Sequence, residues 1–251
     1  MQKIFGLIGF PLSHSFSKDY FTNKFREEGI TGVVYENFEL RDVSGLKELL
    51  AAEPDIAGLN VTIPHKESVL KYLNDIDAQA KKIGAVNVIR KLENGHLKGY
   101  NSDYYGFRTS LETWLSTSMK KTKAIVLGTG GASRAVKAVL EDCGMEYVMV
   151  SRSPGKNVLG YYDLRKDVSW IRKYNLIINT TPLGMYPKVN EMPNLPYEFL
   201  DESNYLYDLI YNPEKSMFLQ QGEQNGAGIK NGREMLVLQA ERSWQIWNNP
   251  E

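Results

Sequence analysis

Cysteine is almost missing from this chain: Cys143 is the only one in 251 residues, so no intrachain disulfide can form and zinc patterns built on paired cysteines are excluded. Histidine is scarce too. His14, His65 and His96 lie far apart and lack the H-E-x-x-H spacing of a helix-borne metal site, so no metal is expected. There is no excess of charge of either sign. Thirty basic and thirty acidic side chains cancel to a formal net charge of zero, which argues against a nucleic-acid partner. No apolar run approaches the roughly 18 residues of a membrane span. The short apolar start stops at Pro11, too early for a signal-peptide core. The expectation is a cytoplasmic protein, off the membrane, whose partner is a small molecule.

What is present is an ordinary globular composition, 42% hydrophobic and 24% charged, in a length that allows one large domain or two modest ones. Short apolar runs alternate with longer amphipathic stretches, the pattern of an α/β fold. Strands are predicted over residues 4–9, 33–38 and 56–61, with helices over 18–28, 43–52 and 68–81. Residues 86–92 and 96–100 flank Glu93-Asn94-Gly95, a strong hairpin-turn signal. A second series begins at Lys123 with the strand AIVLG, a glycine-rich turn and a helix over 133–143, followed by a strand over 147–150. Residues 152–174 show no long helical period, so the crossover helix there is expected to be short or absent. Strands over 176–179 and 205–209 follow, and the tail from Glu234 to Trp247 is amphipathic, with Leu236, Leu238, Ala240, Trp244 and Trp247 as candidate core positions.

The strongest local motif is Gly128-Thr129-Gly130-Gly131-Ala132-Ser133 between a strand and a helix, where glycines let the backbone approach a pyrophosphate. Ser133 stands where a third glycine would complete G-x-G-x-x-G, and a plain tight turn is the alternative. The next strand ends in Val150-Ser151-Arg152, with no acid for a ribose diol and a guanidinium suited to a 2′-phosphate, which favours NADP over NAD. Asn60-Val61-Thr62-Ile63-Pro64-His65-Lys66 closes a strand with a polar cluster suited to an oxygen-rich ligand. Within it Lys66 taken alone reads as a solvated lysine, and His65 is as open to a catalytic role, or to being a packed histidine, as its neighbour. Ser13 to Ser17, Asn101-Ser102-Asp103, Asn179 to Met185 and Tyr207 to Pro213 also follow strands, at the sheet edge where ligands bind in open parallel sheets.

Taken together these segments resemble the shikimate dehydrogenases, NADP-dependent enzymes that reduce 3-dehydroshikimate to shikimate in aromatic amino-acid biosynthesis. The resemblance is carried by GFPLSHSFS, NVTIPHK, GAVNVI, GYNSDYYGF, GTGGASRA, NTTPLGM, YDLIYNP and NGREMLVLQA, in the family's order over nearly the whole chain. It implies two α/β domains: a substrate domain over residues 1–103 completed by a C-terminal helix over 233–251, and a Rossmann-like NADP domain over 104–232, with the active site in the cleft between them. It also implies substrate contacts from Ser15, Ser17, Thr62, Lys66, Asn87, Asp103, Tyr211 and Gln239, with Lys66 and Asp103 as the catalytic pair. For NADP it implies Gly128, Thr129, Gly130, Gly131 and Ala132 at the pyrophosphate, Ser151 and Arg152 at the adenosine phosphate, and Leu209 and Gly232 near the nicotinamide. A monomer or homodimer is expected.

Some positions depart from the family pattern. Lys18 stands where proline is common, Phe21 where histidine is, and Ser102 where threonine is. The family's N-R-T-x-x-R clamp reads Ser151-Arg152-Ser153-Pro154-Gly155-Lys156, so its second arginine is replaced by a lysine without the bidentate fork. Two rival readings are a paralogue using NAD on quinate and a non-catalytic dinucleotide-binding module.

Overall fold

The computed structural model describes residues 2–12 and 16–249, in two compact units: Met1–Ser102 with Ala240–Glu251, and Asp103–Gln239. In the first unit the elements run β1 (Lys3–Gly9), α1 (Phe16–Glu27), β2 (Val33–Glu39), α2 (Leu46–Ala52), β3 (Ile56–Val61), β4 (Asp75–Ile76), α3 (Ala78–Ile83), β5 (Val88–Lys91) and β6 (Leu97–Tyr100). They form a six-stranded sheet in the order β2-β1-β3-β5-β6-β4. The first three strands are mutually parallel, and β5 runs antiparallel to both β3 and β6. From Ile4 onward strand β1 is apolar because both its faces are covered, Phe5 to Gly9 being buried. Phe5 and Leu7 pack with Phe21 and Phe25 of α1, while Ile8 packs with Leu46 and Val61 on the other side.

Two predicted helices of this unit form differently. Residues 43–52 begin as a 3₁₀ turn, Val43–Gly45, capped by Asp42, before α2. Residues 68–81 are no single helix: a 3₁₀ turn at Ser68–Tyr72 is followed by β4 and then α3. The sheet edge draws the chain out, since Asn74 N–H donates to the Leu97 carbonyl while its Oδ1 accepts from Leu97 N. Asp77 then restarts a helix by accepting from the amides of Gln79 and Ala80.

Helix α4 (Ser102–Leu115) leads into the second unit, whose elements are β7 (Ala124–Leu127), α5 (Gly131–Asp142), β8 (Tyr147–Ser151), β9 (Val158–Gly160), α6 (Tyr161–Lys166), α7 (Ser169–Lys173), β10 (Leu176–Asn179), β11 (Tyr205–Asp208), α8 (Met217–Gln224), β12 (Gly228–Lys230) and α9 (Arg233–Asn248). All six strands are parallel, in the order β12-β11-β10-β7-β8-β9. This is a doubly wound sheet that reverses direction between β7 and β10. Along β7 the faces alternate strictly: Ile125 and Leu127 pack with Leu164, Ile171 and Phe218, whereas Ala124 and Val126 pack with Phe107, Leu111 and Val139. Between residues 152 and 174 the chain forms β9 and no helix longer than the short α6 and α7.

The last helix belongs by residue to both units, Arg233 to Gln239 to the second and Ala240 onward to the first. Its buried positions Met235, Gln239, Ser243 and Trp247 recur every four residues, so two polar side chains sit in an otherwise apolar stripe. Among the described residues no helix is long and apolar enough to cross a membrane.

Candidate active site

In the first unit the C-terminal ends of the parallel strands β1 and β3 carry the loop from Thr62 to Lys66. Thr62 N–H donates to the Ile8 carbonyl at 2.9 Å, and His65 N–H donates to the Thr62 carbonyl at 2.9 Å, closing the turn. A side chain at Gly9 would place its Cβ 2.4 Å from Thr62 Cγ2, so glycine there is what lets β1 lie against this loop. Lys66 is held through its carbonyl, which accepts from Val86 N at 2.8 Å. Its neighbour is settled: His65 is 3% exposed, with Nε2 2.6 Å from the Leu40 carbonyl, a packed histidine rather than a catalyst.

Polar side chains continue inward from this edge. Ser17 is hydrogen-bonded to the Tyr35 phenol, which burial pushes well above its ordinary pKa and so keeps protonated. Tyr35 donates to Asn60 Oδ1 at 2.8 Å, and Asn60 Nδ2 donates to Ser243 Oγ at 2.9 Å and to the Asn87 carbonyl at 3.2 Å. Ser243 Oγ lies 3.2 Å from Ser102 Oγ. Asn87 is held at both ends of its amide, Oδ1 accepting from Ser102 N at 2.7 Å and Nδ2 donating to Ser102 Oγ at 3.0 Å. The Asn60 amide is thus turned into the unit's interior rather than presented beside Thr62 and Lys66. Ser15 lies outside the described residues.

The remaining predicted substrate contacts belong to the second unit. Asp103 is in the first turn of α4, and Gln239 lies on α9 where Gly106 of α4 allows close approach: a Cβ at Gly106 would fall 2.6 Å from the Met235 carbonyl. Tyr211 follows β11, its phenol pKa raised by partial burial.

Every predicted cofactor residue is also in the second unit, and the turn after β7 stands at the sheet's reversal point. Gly128 has φ +103°, a conformation that side chains other than glycine rarely adopt, and its Cβ would meet Thr180 Oγ1 at 2.8 Å. Gly130 and Gly131 differ, because a Cβ at either meets no atom within 4 Å. The fold alone therefore does not require glycine there; the turn leaves an open face at the first turn of α5, whose N-terminus has no side-chain cap. A pyrophosphate fits that cradle. Ser133, in place of the third glycine, is buried and donates to the Gly130 carbonyl at 2.6 Å. Gly128 N–H donates to the Val150 carbonyl, bringing the end of β8 with Ser151 and exposed Arg152 alongside. Arg152 also lies close enough to Tyr161 for its charge to act on that phenol. Leu209 and Gly232 meet directly: a Cβ at Gly232 would lie 2.1 Å from the Leu209 carbonyl oxygen.

The sequence motif around Tyr207 hid a further residue. Asp208 is fully buried and accepts from Asn179 Nδ2 at 3.0 Å, Ile210 N at 3.0 Å and Ser216 Oγ at 2.5 Å. Burial outweighs these bonds and pushes its carboxyl up to about 7. A pKa raised on folding favours the folded state below the unfolded value near 4, and that advantage is lost as pH rises through 7. Replacing Asp208 with asparagine removes the titration. Between pH 5 and 8 the variant should therefore gain about 2–3 kcal/mol of unfolding free energy relative to the parent. Urea unfolding at both pH values checks this, and a pH-independent difference would contradict it.

Among the described residues no three His, Cys, Asp or Glu side chains converge as a metal site requires.

A parallel sheet reversing at an open glycine turn, joined to a second α/β unit with polar loops at its strand ends, defines a dinucleotide-dependent oxidoreductase of two-domain type. The family model described as the shikimate dehydrogenase substrate binding domain matches residues 7–89. Shikimate dehydrogenase (NADP(+)) of Caldanaerobacter subterraneus subsp. tengcongensis is 39% identical over 98% of this chain and 91% of its own length. That of Clostridium beijerinckii is 41% identical over 98% and 92%. Among solved structures, shikimate 5-dehydrogenase from Thermus thermophilus in complex with NADP(H) and shikimate superposes with a TM-score of 0.84 at 28% identity, covering 98% of this chain and 94% of that one. The chain belongs to the shikimate dehydrogenase family.

Proposed function

We propose that the protein catalyses the reversible NADPH-dependent reduction of 3-dehydroshikimate to shikimate, as a cytoplasmic enzyme acting as a monomer or homodimer. The observation that carries the reading is the open face at Gly130 and Gly131, at the reversal point of the sheet, in a chain of this family. NADPH, when bound, supplies the hydride to the ketone carbon. The carbonyl oxygen gains negative charge as that happens and needs a proton and a cation aimed at it. Lys66 serves there as proton donor and charge stabiliser. Asp103 is its partner, orienting the lysine and accepting a hydrogen bond from a substrate hydroxyl. Ser15, Ser17, Thr62, Asn87, Tyr211 and Gln239 hold the remaining polar groups of the ring. The absorbance of NADPH formed from shikimate or quinate with NADP or NAD tests the assignment. Turnover with quinate and NAD alone would favour the paralogue, and none at all a binding module.

In the same reading Arg152 carries the 2′-phosphate, since Ser151 and Ser153 bring no charge. Ser153 N–H bonds back to Ser151 Oγ, and Lys156 sits in an exposed turn closed by the Gly155–Val158 bridge. Arg152→Ala should raise the NADP KM about ten- to a hundredfold, the scale of a charge-assisted contact, and leave the shikimate KM nearly unchanged. An unaltered NADP KM would remove Arg152 from the phosphate site.

A further inference from the structure

Two of the substrate contacts proposed for the first unit, Ser17 on α1 and Asn87 before β5, are joined through its interior by four further side chains: Tyr35, Asn60, Ser243 and Ser102. The joint in that chain is Ser243. It is fully buried on α9, and its Oγ receives Asn60 Nδ2 at 2.9 Å and lies 3.2 Å from Ser102 Oγ. Each neighbour is committed on its other side. Asn60 Oδ1 takes the Tyr35 hydroxyl, and Ser102 grips both ends of the Asn87 amide. A buried amide with both ends bonded cannot flip without leaving a donor facing a donor, so its orientation is inherited from its neighbours.

We propose that Ser243 is a positioning residue for the substrate site: its hydroxyl couples Asn60 to Ser102, and through them sets the presentation of Ser17 and Asn87. The inference rests on the reading of those two residues as substrate contacts. Its physical content is that the C-terminal helix does more than cover the sheet. Where a helix in this place would ordinarily bury an apolar residue, a hydroxyl is fully buried between two polar partners from different segments. Polar networks of this kind, when satisfied, fix one arrangement of their members. The Asn87 carbonyl also accepts from Val61 N at 2.8 Å, so the same network is tied to the strand that leads into Thr62 and Lys66.

The test is steady-state kinetics of Ser243→Ala with both substrates varied. The expected result is a shikimate KM raised about three- to tenfold, the scale of a single hydrogen bond's net worth, with the NADP KM unchanged and kcat within about twofold. A merely destabilising change would lower the active fraction, reducing kcat for both substrates while leaving both KM values alone. That pattern would overturn the proposal. Should Ser243→Ala fail to fold, Ser102→Ala and Tyr35→Phe break the chain on either side of it and should show the same split. Ser17→Ala and Asn87→Ala separate the two levels of the argument. If they raise the shikimate KM while Ser243→Ala, or both flanking variants in its stead, do not, the positioning role is wrong and the substrate reading stands. If they have no effect, the substrate reading fails and the positioning role with it.

Discussion

Replacing Lys66 with alanine is expected to lower turnover by about 10²–10⁴-fold, the usual scale for a positioned acid–base group, while leaving the NADP KM within a few-fold of the parent. The local structure makes this a clean experiment. Lys66 is anchored by its backbone carbonyl on Val86 N, and the turn before it is closed by Thr62 and His65, so removing the side chain leaves these backbone hydrogen bonds in place. His65 cannot take over, because it is buried with its ring nitrogen on the Leu40 carbonyl. Asp103→Ala should lower turnover and also weaken shikimate binding. If the two act as a unit, the double variant should lose well under the product of the single losses. Steady-state kinetics of the three variants decide it: near-normal turnover in Lys66→Ala would make water the donor, and multiplicative losses would mean two independent residues.

The strands were legible because their signal is local. Each of 4–9, 56–61 and 176–179 is a short apolar run buried on both faces, and the structure places strands at Lys3–Gly9, Ile56–Val61 and Leu176–Asn179. The glycine turn was legible for the same reason: conformation dictates Gly128, and open space surrounds Gly130 and Gly131. What escaped depends on partners distant in sequence. The segment 68–81 has a helical apolar spacing, yet pairing of Asn74 with Leu97 breaks it. Helix α4 was hidden by Gly106, which disfavours a helix in isolation but admits the backbone of α9. Asn60 read as a surface ligand group because nothing local shows that Tyr35 and Ser243 converge on it. Ser243 itself could have been suspected from its spacing of four between Gln239 and Trp247, in register with the buried stripe. Asp208 gave no signal beyond its motif, since a buried carboxyl is recognised only once Asn179 and Ser216 are seen around it.

Trp247→Ala should cost about 3–5 kcal/mol of the first unit's stability, the range for removing a buried tryptophan. The side chain is 7% exposed and stacks on Phe5 with centroids 4.8 Å apart, with Phe21 at 5.6 Å. Its Nε1 donates to the Ile89 carbonyl at 3.0 Å. The fit is built around a missing side chain: a Cβ at Gly58 would fall 2.3 Å from Nε1, so only glycine there lets the indole lie this close to the β3 backbone. Truncation therefore opens a cavity over the sheet and leaves the Ile89 carbonyl without that donor, two separate penalties. Trp247→Phe is intermediate, keeping one ring on Phe5 but giving up the donor and the volume of the second ring, with an expected cost of about 1–3 kcal/mol. Two units need not unfold together, so amide exchange in β1 and β3 is the appropriate measure. Protection there should fall by roughly two to four powers of ten in Trp247→Ala, while β7 and β10 keep theirs. Equal loss in both sheets would show that the anchor at the end of α9 stabilises the whole chain, whereas no loss in either would mean that the core closes without it.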